Sequence, residues 1–126
     1  EPLPIEMKIQ ESRYVSTAVV VGQDQRYLAA LIVPSKLEIE AFAKEAEISY
    51  KKYEELVKRP EIVRLIEGEI NQRINSKNGF KMFEKISKVA LLPKEFEVGV
   101  ELSAKQEIMR YRINEIYSSE IKKLFK

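Results

Sequence analysis

Residues 18–34 read Ala-Val-Val-Val-Gly-Gln-Asp-Gln-Arg-Tyr-Leu-Ala-Ala-Leu-Ile-Val-Pro, and this stretch decides the fold. Two apolar runs rich in β-branched residues, Ala18–Val21 and Leu28–Val33, flank a short polar segment. This pattern predicts a hairpin whose strands are buried on at least one face. Gly22 can supply the positive φ that the turn needs, and Pro34 ends the second strand because it lacks an N–H.

The rest of the chain is mostly helical in pattern. Apolar residues spaced three or four apart predict helices over residues 4–12, 35–46, 50–59, 61–76 and 107–125. Lys85–Leu92 predicts a third strand, and Phe96–Val98 a short extra one. The predicted fold class is therefore α+β, a small mixed sheet (hairpin plus a third strand) covered by helices, with a helical insertion at about residues 35–78.

Two of the predicted helices have apolar stripes that assign their core-facing sides. In the helix over 35–46 the stripe is formed by Leu37, Ala41, Phe42 and Ala46. In the helix over 61–76 it is formed by Ile62, Leu65, Ile66, Ile70 and Ile74.

Composition narrows the functional classes. The 126 residues suggest one domain, with 44% hydrophobic and 33% charged residues as in globular proteins. A net charge of +2 gives no basic bias, so no nucleic acid is expected as a partner. The chain has no cysteine and no histidine, which excludes disulfides, His-containing triads and His–Cys zinc sites. No long apolar run or signal-peptide pattern is present, so the cytoplasm is the expected compartment.

No sequence motif in the chain carries chemistry by itself. GxGxxG and GxxxxGK[ST] are both absent, and so is any nucleophile–base pair or metal-ligand cluster. Local chemistry alone therefore favours an interaction or accessory domain.

The hairpin and five further segments carry motifs that occur together in one enzyme family. The five segments are Glu1–Glu6 (EPxxIE), Asn78–Ile86 (GFxxFExI), Ala90–Pro93 (LLP), Glu101–Ser103 (ELT) and Ile113–Leu124, the closing helix. In this order they resemble the C-terminal domain of AMP-forming long-chain fatty-acid–CoA ligases, the long-chain acyl-CoA synthetases of the adenylate-forming superfamily. The resemblance covers almost the whole chain.

This resemblance implies that residues 1–126 are a single C-terminal domain, and that the larger N-terminal adenylation domain of the same chain is its partner. Such an enzyme activates a long-chain fatty acid with Mg-ATP to acyl-AMP and then transfers the acyl group to coenzyme A. The family's C-terminal domain rotates between two poses that serve these two steps. The resemblance also implies that the isolated fragment is inactive, holds no metal, and binds neither ATP, coenzyme A nor Mg²⁺ tightly.

The family's last motif places a catalytic lysine in a loop, and the present sequence departs from it. The family reads roughly ELTxTLKxKR, or SGKxxR in shorter relatives, whereas this chain reads Glu-Leu-Ser-Ala-Lys-Gln-Glu-Ile-Met-Arg from Glu101 to Arg110. In an alignment without a gap, Glu107 occupies the position of the family's catalytic lysine. The chain would then be a catalytically impaired homologue. Aligned on Ser103-Ala104-Lys105, the catalytic residue is Lys105 with two extra residues after it, and this is the alignment we favour.

Two further cationic regions are candidates for binding. Lys81 and Lys85 are predicted to meet phosphates of coenzyme A, with Phe80 or Phe83 beneath the adenine; the alternative is core phenylalanines with solvated lysines. The final helix has a basic side formed by Arg110, Arg112, Lys122, Lys123 and Lys126. This side is either a solvated face or a contact for the large domain or a membrane surface. A stand-alone interaction module without chemistry is the remaining alternative.

Overall fold

Three strands and six helices make up the fold, and the computed structural model describes all of residues 1–126. The elements in chain order are α1 (Pro2–Ile9), β1 (Val15–Val21), β2 (Leu28–Pro34), α2 (Lys36–Glu45), α3 (Tyr53–Leu56), α4 (Pro60–Arg73), β3 (Ile86–Leu91), α5 (Arg110–Ile116) and α6 (Ser118–Leu124). Short 3₁₀ turns at Ser76–Asn78 and Met82–Glu84 connect α4 to β3. The predicted α+β class and the helical insertion are confirmed.

The sheet is mixed, with strand order β1-β2-β3. Strands β1 and β2 pair antiparallel as the predicted hairpin, and β2 pairs parallel with β3. Side chains of the central strand alternate between two cores: Ile32 packs with α1, α2 and α4, whereas Leu31 packs with α5 and α6. Strand β2 is therefore the centre of both cores. Burying a side chain of this size contributes about 1.5–3 kcal/mol to stability.

Gly22 begins the hairpin turn with a φ of +94°, as the sequence predicted. A Cβ atom at this position would overlap the ring of Phe125 and lie 2.9 Å from the carbonyl oxygen of Tyr27. The Tyr27 hydroxyl donates a hydrogen bond of 2.6 Å to the carbonyl of Leu124, and its ring lies 5.2 Å from that of Phe125. The end of α6 is therefore packed directly on the hairpin turn.

Helix α1 lies along the outer edge of β1. Two of its side chains accept hydrogen bonds from backbone N–H groups of β1. The N–H of Val20 donates to Glu6 Oε2 at 2.7 Å, and the N–H of Ala18 donates to Gln10 Oε1 at 2.8 Å. Glu6 and Gln10 are four residues apart and so share one face of the helix. They satisfy edge groups that would otherwise face solvent.

The predicted apolar stripe of α2 is wrong at Leu37, Ala41 and Ala46, which are exposed, and right at Phe42, which packs against the core. The stripe of α4 is confirmed at four of its five positions. In α2 the buried residues are Ile39 and Ala43, and Leu37 is 82% exposed. Two sets spaced by four residues compete in this helix, and the packing against the sheet selects the one that contains Ile39. In α4 the isoleucines recur on one face and are buried, together with Ile74 after the helix, while Leu65 is partly buried.

Three further predictions differ from the structure. The helix expected over residues 50–59 is only the single turn α3. Phe96–Val98 is not a strand, since its only pairing is an isolated bridge between Val98 and Leu102. The single helix expected over 107–125 is two helices that break at Tyr117, where φ is −107° and ψ is 25°. No helix has the length and apolarity needed to cross a bilayer.

Candidate active-site loop

The segment that carries the predicted catalytic lysine forms a tight loop closed by backbone pairing. We call residues 102–108 the Lys105 loop. Leu102 and Ile108 form an antiparallel bridge, and the N–H of Ser103 donates to the carbonyl of Glu107 at 2.8 Å. The hydroxyl of Ser103 accepts hydrogen bonds from the N–H groups of Lys105 at 3.3 Å and Glu107 at 3.2 Å. The serine of the motif thus shapes the loop from inside.

The tip of the Lys105 loop is exposed and contains the two extra residues. Gln106 has a φ of +64°, a left-handed conformation that costs a non-glycine residue roughly 1–2 kcal/mol. Its N–H donates to the carbonyl of Ser103 at 2.8 Å, which closes the turn. Lys105 is exposed and takes part in no ion pair. Its ammonium is therefore available to an anion from outside the domain.

The buried carboxylate of Glu101 holds the first end of the loop. Glu101 is only 6% exposed; its Oε1 accepts from the N–H of Glu97 at 2.9 Å and its Oε2 from the hydroxyl of Tyr117 at 2.5 Å. Burial and then the hydrogen bond with Glu101 raise the pKa of the Tyr117 hydroxyl well above its usual range. The N–H of Met109 donates to the carbonyl of Glu101 at 2.9 Å, so both ends of the loop meet at this residue.

A second buried carboxylate, Glu6, holds the other end. Arg110 Nη1 donates to Glu6 Oε2 at 2.9 Å, and Nη2 donates to Oε1 at 2.6 Å. Glu6 is 2% exposed, and its Oε2 is also the acceptor for the edge N–H of Val20. The hydrogen bonds with Glu6 raise the pKa of Arg110. This bidentate pair links the first helix to the first residue of α5.

Sequence reasoning missed this ion pair, because it placed Arg110 on a basic helix side that was either solvated or an external contact. The structure corrects this: Arg110 is bound to Glu6, and Arg112 Nε donates to the carbonyl of Val100 at 3.1 Å. Only the lysines of the predicted basic side, Lys122, Lys123 and Lys126, are exposed. One signal was present, since an arginine in the first turn of a helix opposes the helix dipole and calls for an anionic partner.

The surface beside the Lys105 loop is partly apolar. A groove of about 470 Å³ lies between α1 and the loop, lined by residues that include Met7, Gln106 and Glu107. Leu3 and Met7 of α1 are both more than half exposed at this groove. Exposed apolar side chains that line a groove are typical of a surface that meets another protein surface.

The candidate residues of the second region, Gly79–Lys85, do not lie on one surface. Phe80 is half-buried and packs against the core that contains Ile74 and Ile86, so its ring is a core anchor. Phe83 is instead 73% exposed, and Lys81 Nζ lies 5.8 Å from its ring centroid. Lys85 is exposed and lines a separate groove of about 250 Å³ with Glu67 and Asn71 of α4. The structure thus brings Lys81 and Phe83 together and leaves Phe80 and Lys85 apart from them.

The carboxylates of this domain do not gather into a metal-binding cluster. No group of three or more Asp or Glu side chains is placed so that it could hold an ion. The two buried carboxylates, Glu6 and Glu101, already accept hydrogen bonds from protein donors. The residues present here do not fit a Mg²⁺ site.

The small mixed sheet covered by helices has the fold of a part of the adenylation domains of carboxylate reductases. It matches the adenylation domain of the carboxylate reductase from Mycobacterium chelonae with a TM-score of 0.75 at 20% identity, over 96% of this chain and 17% of that one. It matches the A-PCP didomain of carboxylic acid reductase from Segniliparus rugosus in complex with AMP with a TM-score of 0.72 at 21% identity, over 97% and 15%. The chain thus spans about a sixth of the length of these structures.

The family model of the AMP-binding enzyme C-terminal domain matches residues 1–126. The chain therefore belongs to this family of adenylate-forming enzyme domains. No curated protein sequence matches it.

Proposed function

We propose that this chain is the mobile C-terminal domain of an AMP-forming long-chain fatty-acid–CoA ligase. The membership of residues 1–126 in the AMP-binding enzyme C-terminal domain family supports the coarse assignment. The ligase motifs from Glu1 to Leu124 support the finer one. The single observation that carries the proposal is the exposed, unpaired Lys105 at the tip of a loop with both ends anchored. The family membership favours an enzyme context over an independent interaction module.

In this proposal Lys105 supplies a positive charge during adenylation. The fatty-acid carboxylate attacks the α-phosphorus of ATP and pyrophosphate leaves, so negative charge builds on the α-phosphoryl oxygens. An ammonium placed there stabilises the transition state more than the ground state. The resemblance to the ligases assigns the ATP and fatty-acid sites, and the Mg²⁺ that accompanies ATP, to the N-terminal adenylation domain.

The second step is transfer of the acyl group from acyl-AMP to the thiol of coenzyme A, with AMP as leaving group. We assign Lys81 and Lys85 to phosphates of coenzyme A and the aromatic surface of this segment to its adenine. Of the two candidate rings for the adenine, Phe80 packs against the core, whereas Phe83 is exposed and adjacent to Lys81. A cation beside an exposed aromatic ring suits a phosphorylated adenine nucleotide.

The adenylation role is tested in the full-length enzyme by fatty-acid-dependent ATP–pyrophosphate exchange. Lys105→Ala is expected to slow the exchange by about 100–1,000-fold, as removal of one transition-state partner does. Lys51→Ala, at an exposed lysine of the helical insertion, is the matched control and leaves the rate unchanged. An exchange rate that is equal in Lys105→Ala and the parent refutes the role of Lys105.

The coenzyme A assignment is tested by the Michaelis constant for coenzyme A. Lys81→Ala and Phe83→Ala are each expected to raise this constant by about tenfold, the worth of one cation or one stacked base. Lys77→Ala, at an exposed lysine of the preceding 3₁₀ turn, is the control. Unchanged constants in Lys81→Ala, Lys85→Ala and Phe83→Ala refute the site.

A second candidate is a catalytically impaired homologue, favoured by Glu107 at the ungapped position of the family's lysine. Under the first proposal, Glu107→Gln leaves exchange unchanged or raises it, because a negative charge near the α-phosphate is removed. Under the second candidate, neither the parent nor Glu107→Gln supports exchange, and only thioester formation from supplied acyl-adenylate is seen.

A further inference from the structure

Both buried carboxylates of this domain lie at the ends of the Lys105 loop. Buried polar side chains are few here, namely Glu6, Ser12 and Glu101. A buried carboxylate is costly unless donors surround it, so a fold retains one only where its hydrogen bonds are complete. Glu101 directly precedes the loop, and the partner of Glu6 is Arg110, two residues after it.

Each carboxylate joins the loop to a different rigid element. Through its Oε2, Glu101 is bound to the hydroxyl of Tyr117, the residue between α5 and α6. Through Arg110, Glu6 connects the loop to α1, and α1 is in turn held on the edge of the sheet by the N–H of Val20. The loop itself has no regular secondary structure beyond the two bridges that Leu102 forms with Val98 and Ile108. These two contacts therefore determine where its tip lies.

We propose that Glu6 and Glu101 are positioning residues for Lys105, acting through Arg110 and Tyr117. This inference rests on the proposed adenylation role of Lys105. An ammonium at the tip of a loop stabilises charge only while it is held within a fraction of an ångström of its working position. The two carboxylates hold the loop from opposite ends, so loss of either contact frees the tip while the sheet and its cores remain.

The helix break at Tyr117 follows from the same arrangement. A continuous helix over 107–125 would carry the Tyr117 side chain along the helix surface. In the structure its hydroxyl reaches Glu101 and its ring stacks 5.9 Å from Phe96. Tyr117 thus fixes the segment from Phe96 to Glu101 before the loop, and it also fixes the direction of the last helix.

The experiment compares the two half-reactions of the full-length enzyme in Tyr117→Phe and Arg110→Lys. Tyr117→Phe removes one hydroxyl, and Arg110→Lys keeps the charge but loses the bidentate geometry, so both variants are expected to fold. Arg73→Lys, in the ion pair of Arg73 with Glu69 on α4, is the matched control. Hydrogen exchange of the loop amides of Ser103, Gln106 and Glu107 is measured on the same proteins.

Both variants are expected to speed exchange of the loop amides by about tenfold, as loss of one hydrogen bond to a charged group allows. Adenylation should fall by a similar factor, while thioester formation from supplied acyl-adenylate stays within about twofold. The control changes the two half-reactions equally. Equal losses in both half-reactions, or unchanged loop amides, overturn the inference. If the loop amides exchange faster in Tyr117→Phe and Arg110→Lys but Lys105→Ala adenylates normally, the proposed role of Lys105 is refuted.

Discussion

The substitution Gly22→Ala tests how the hairpin turn and the last helix fit together. Gly22 has a φ of +94°, and a Cβ there would overlap the ring of Phe125. The methyl group thus meets two obstacles, a left-handed backbone and an occupied space. The overlap is relieved only if the Phe125 ring moves away from Tyr27, from which it is 5.2 Å distant, and the backbone strain remains even then.

The expected loss of stability follows from these two obstacles. A left-handed backbone costs a non-glycine residue roughly 1–2 kcal/mol, and an extra methyl in a packed site costs about 1–3 kcal/mol. Alanine also lowers the conformational entropy of the unfolded chain, which offsets about 0.5 kcal/mol of this loss of stability. Gly22→Ala should therefore lower the free energy of unfolding by about 1.5–4.5 kcal/mol, a large share of the stability of a domain of this size.

Two other glycines are matched controls for the same substitution. Gly79 has a φ of +85° but open space around its Cβ position, so Gly79→Ala should cost only about 1 kcal/mol. Gly68 lies in α4 with nothing within 4 Å, so Gly68→Ala should stabilise by about 1 kcal/mol. Urea unfolding followed by circular dichroism measures all three. The reasoning fails if Gly22→Ala costs no more than Gly79→Ala, because Phe125 would then not be packed on the turn.

Two further predictions concern α2 and the high-pH limit of stability. Ile39→Ala should cost about 2–5 kcal/mol in urea unfolding and Leu37→Ala under about 0.5 kcal/mol; the reverse order would restore the face predicted from sequence. Burial, then the charges of Glu40 and Glu95, raise the pKa of Tyr53 to about 12. Because the unfolded tyrosine loses its proton near pH 10, stability should fall as the pH rises from about 10 to about 12. Tyr53→Phe should weaken this fall at little cost, since the Tyr53 hydroxyl has no hydrogen-bond partner; an identical pH profile would contradict it.

Local patterns predicted the elements whose packing follows from sequence neighbours. The hairpin around Gly22, the parallel strand ended by Pro93 and the isoleucine face of α4 all depend on residues within one element. The face of α2 was ambiguous because Leu37 and Ile39 both have apolar partners four residues later. Only the position of the sheet, which is set by the whole chain, decides between them.

The parts that sequence could not predict are long-range. Glu6 and Arg110 are 104 positions apart, and no spacing rule connects them. The break at Tyr117 depends on Glu101, which lies in an irregular segment. Lys105 was correctly predicted to lie in a loop, but Glu107 and Ile108 were predicted as helix, which begins only at Arg110. The position of the loop tip depends on these two contacts. The exposure of Phe83 rather than Phe80 likewise follows from which ring the core at Ile74 and Ile86 accepts.

The coverage of β1 by α1 also bears on the colloidal behaviour of this domain. An uncovered edge strand rich in valine is a template for pairing with a second molecule and for amyloid-like aggregation. Because Glu6 and Gln10 occupy the N–H groups of Val20 and Ala18, that template is blocked by side chains rather than by another strand. Transient detachment of α1 would expose it. Strand pairing through the β1 edge should therefore be prevented for as long as the first helix stays in place.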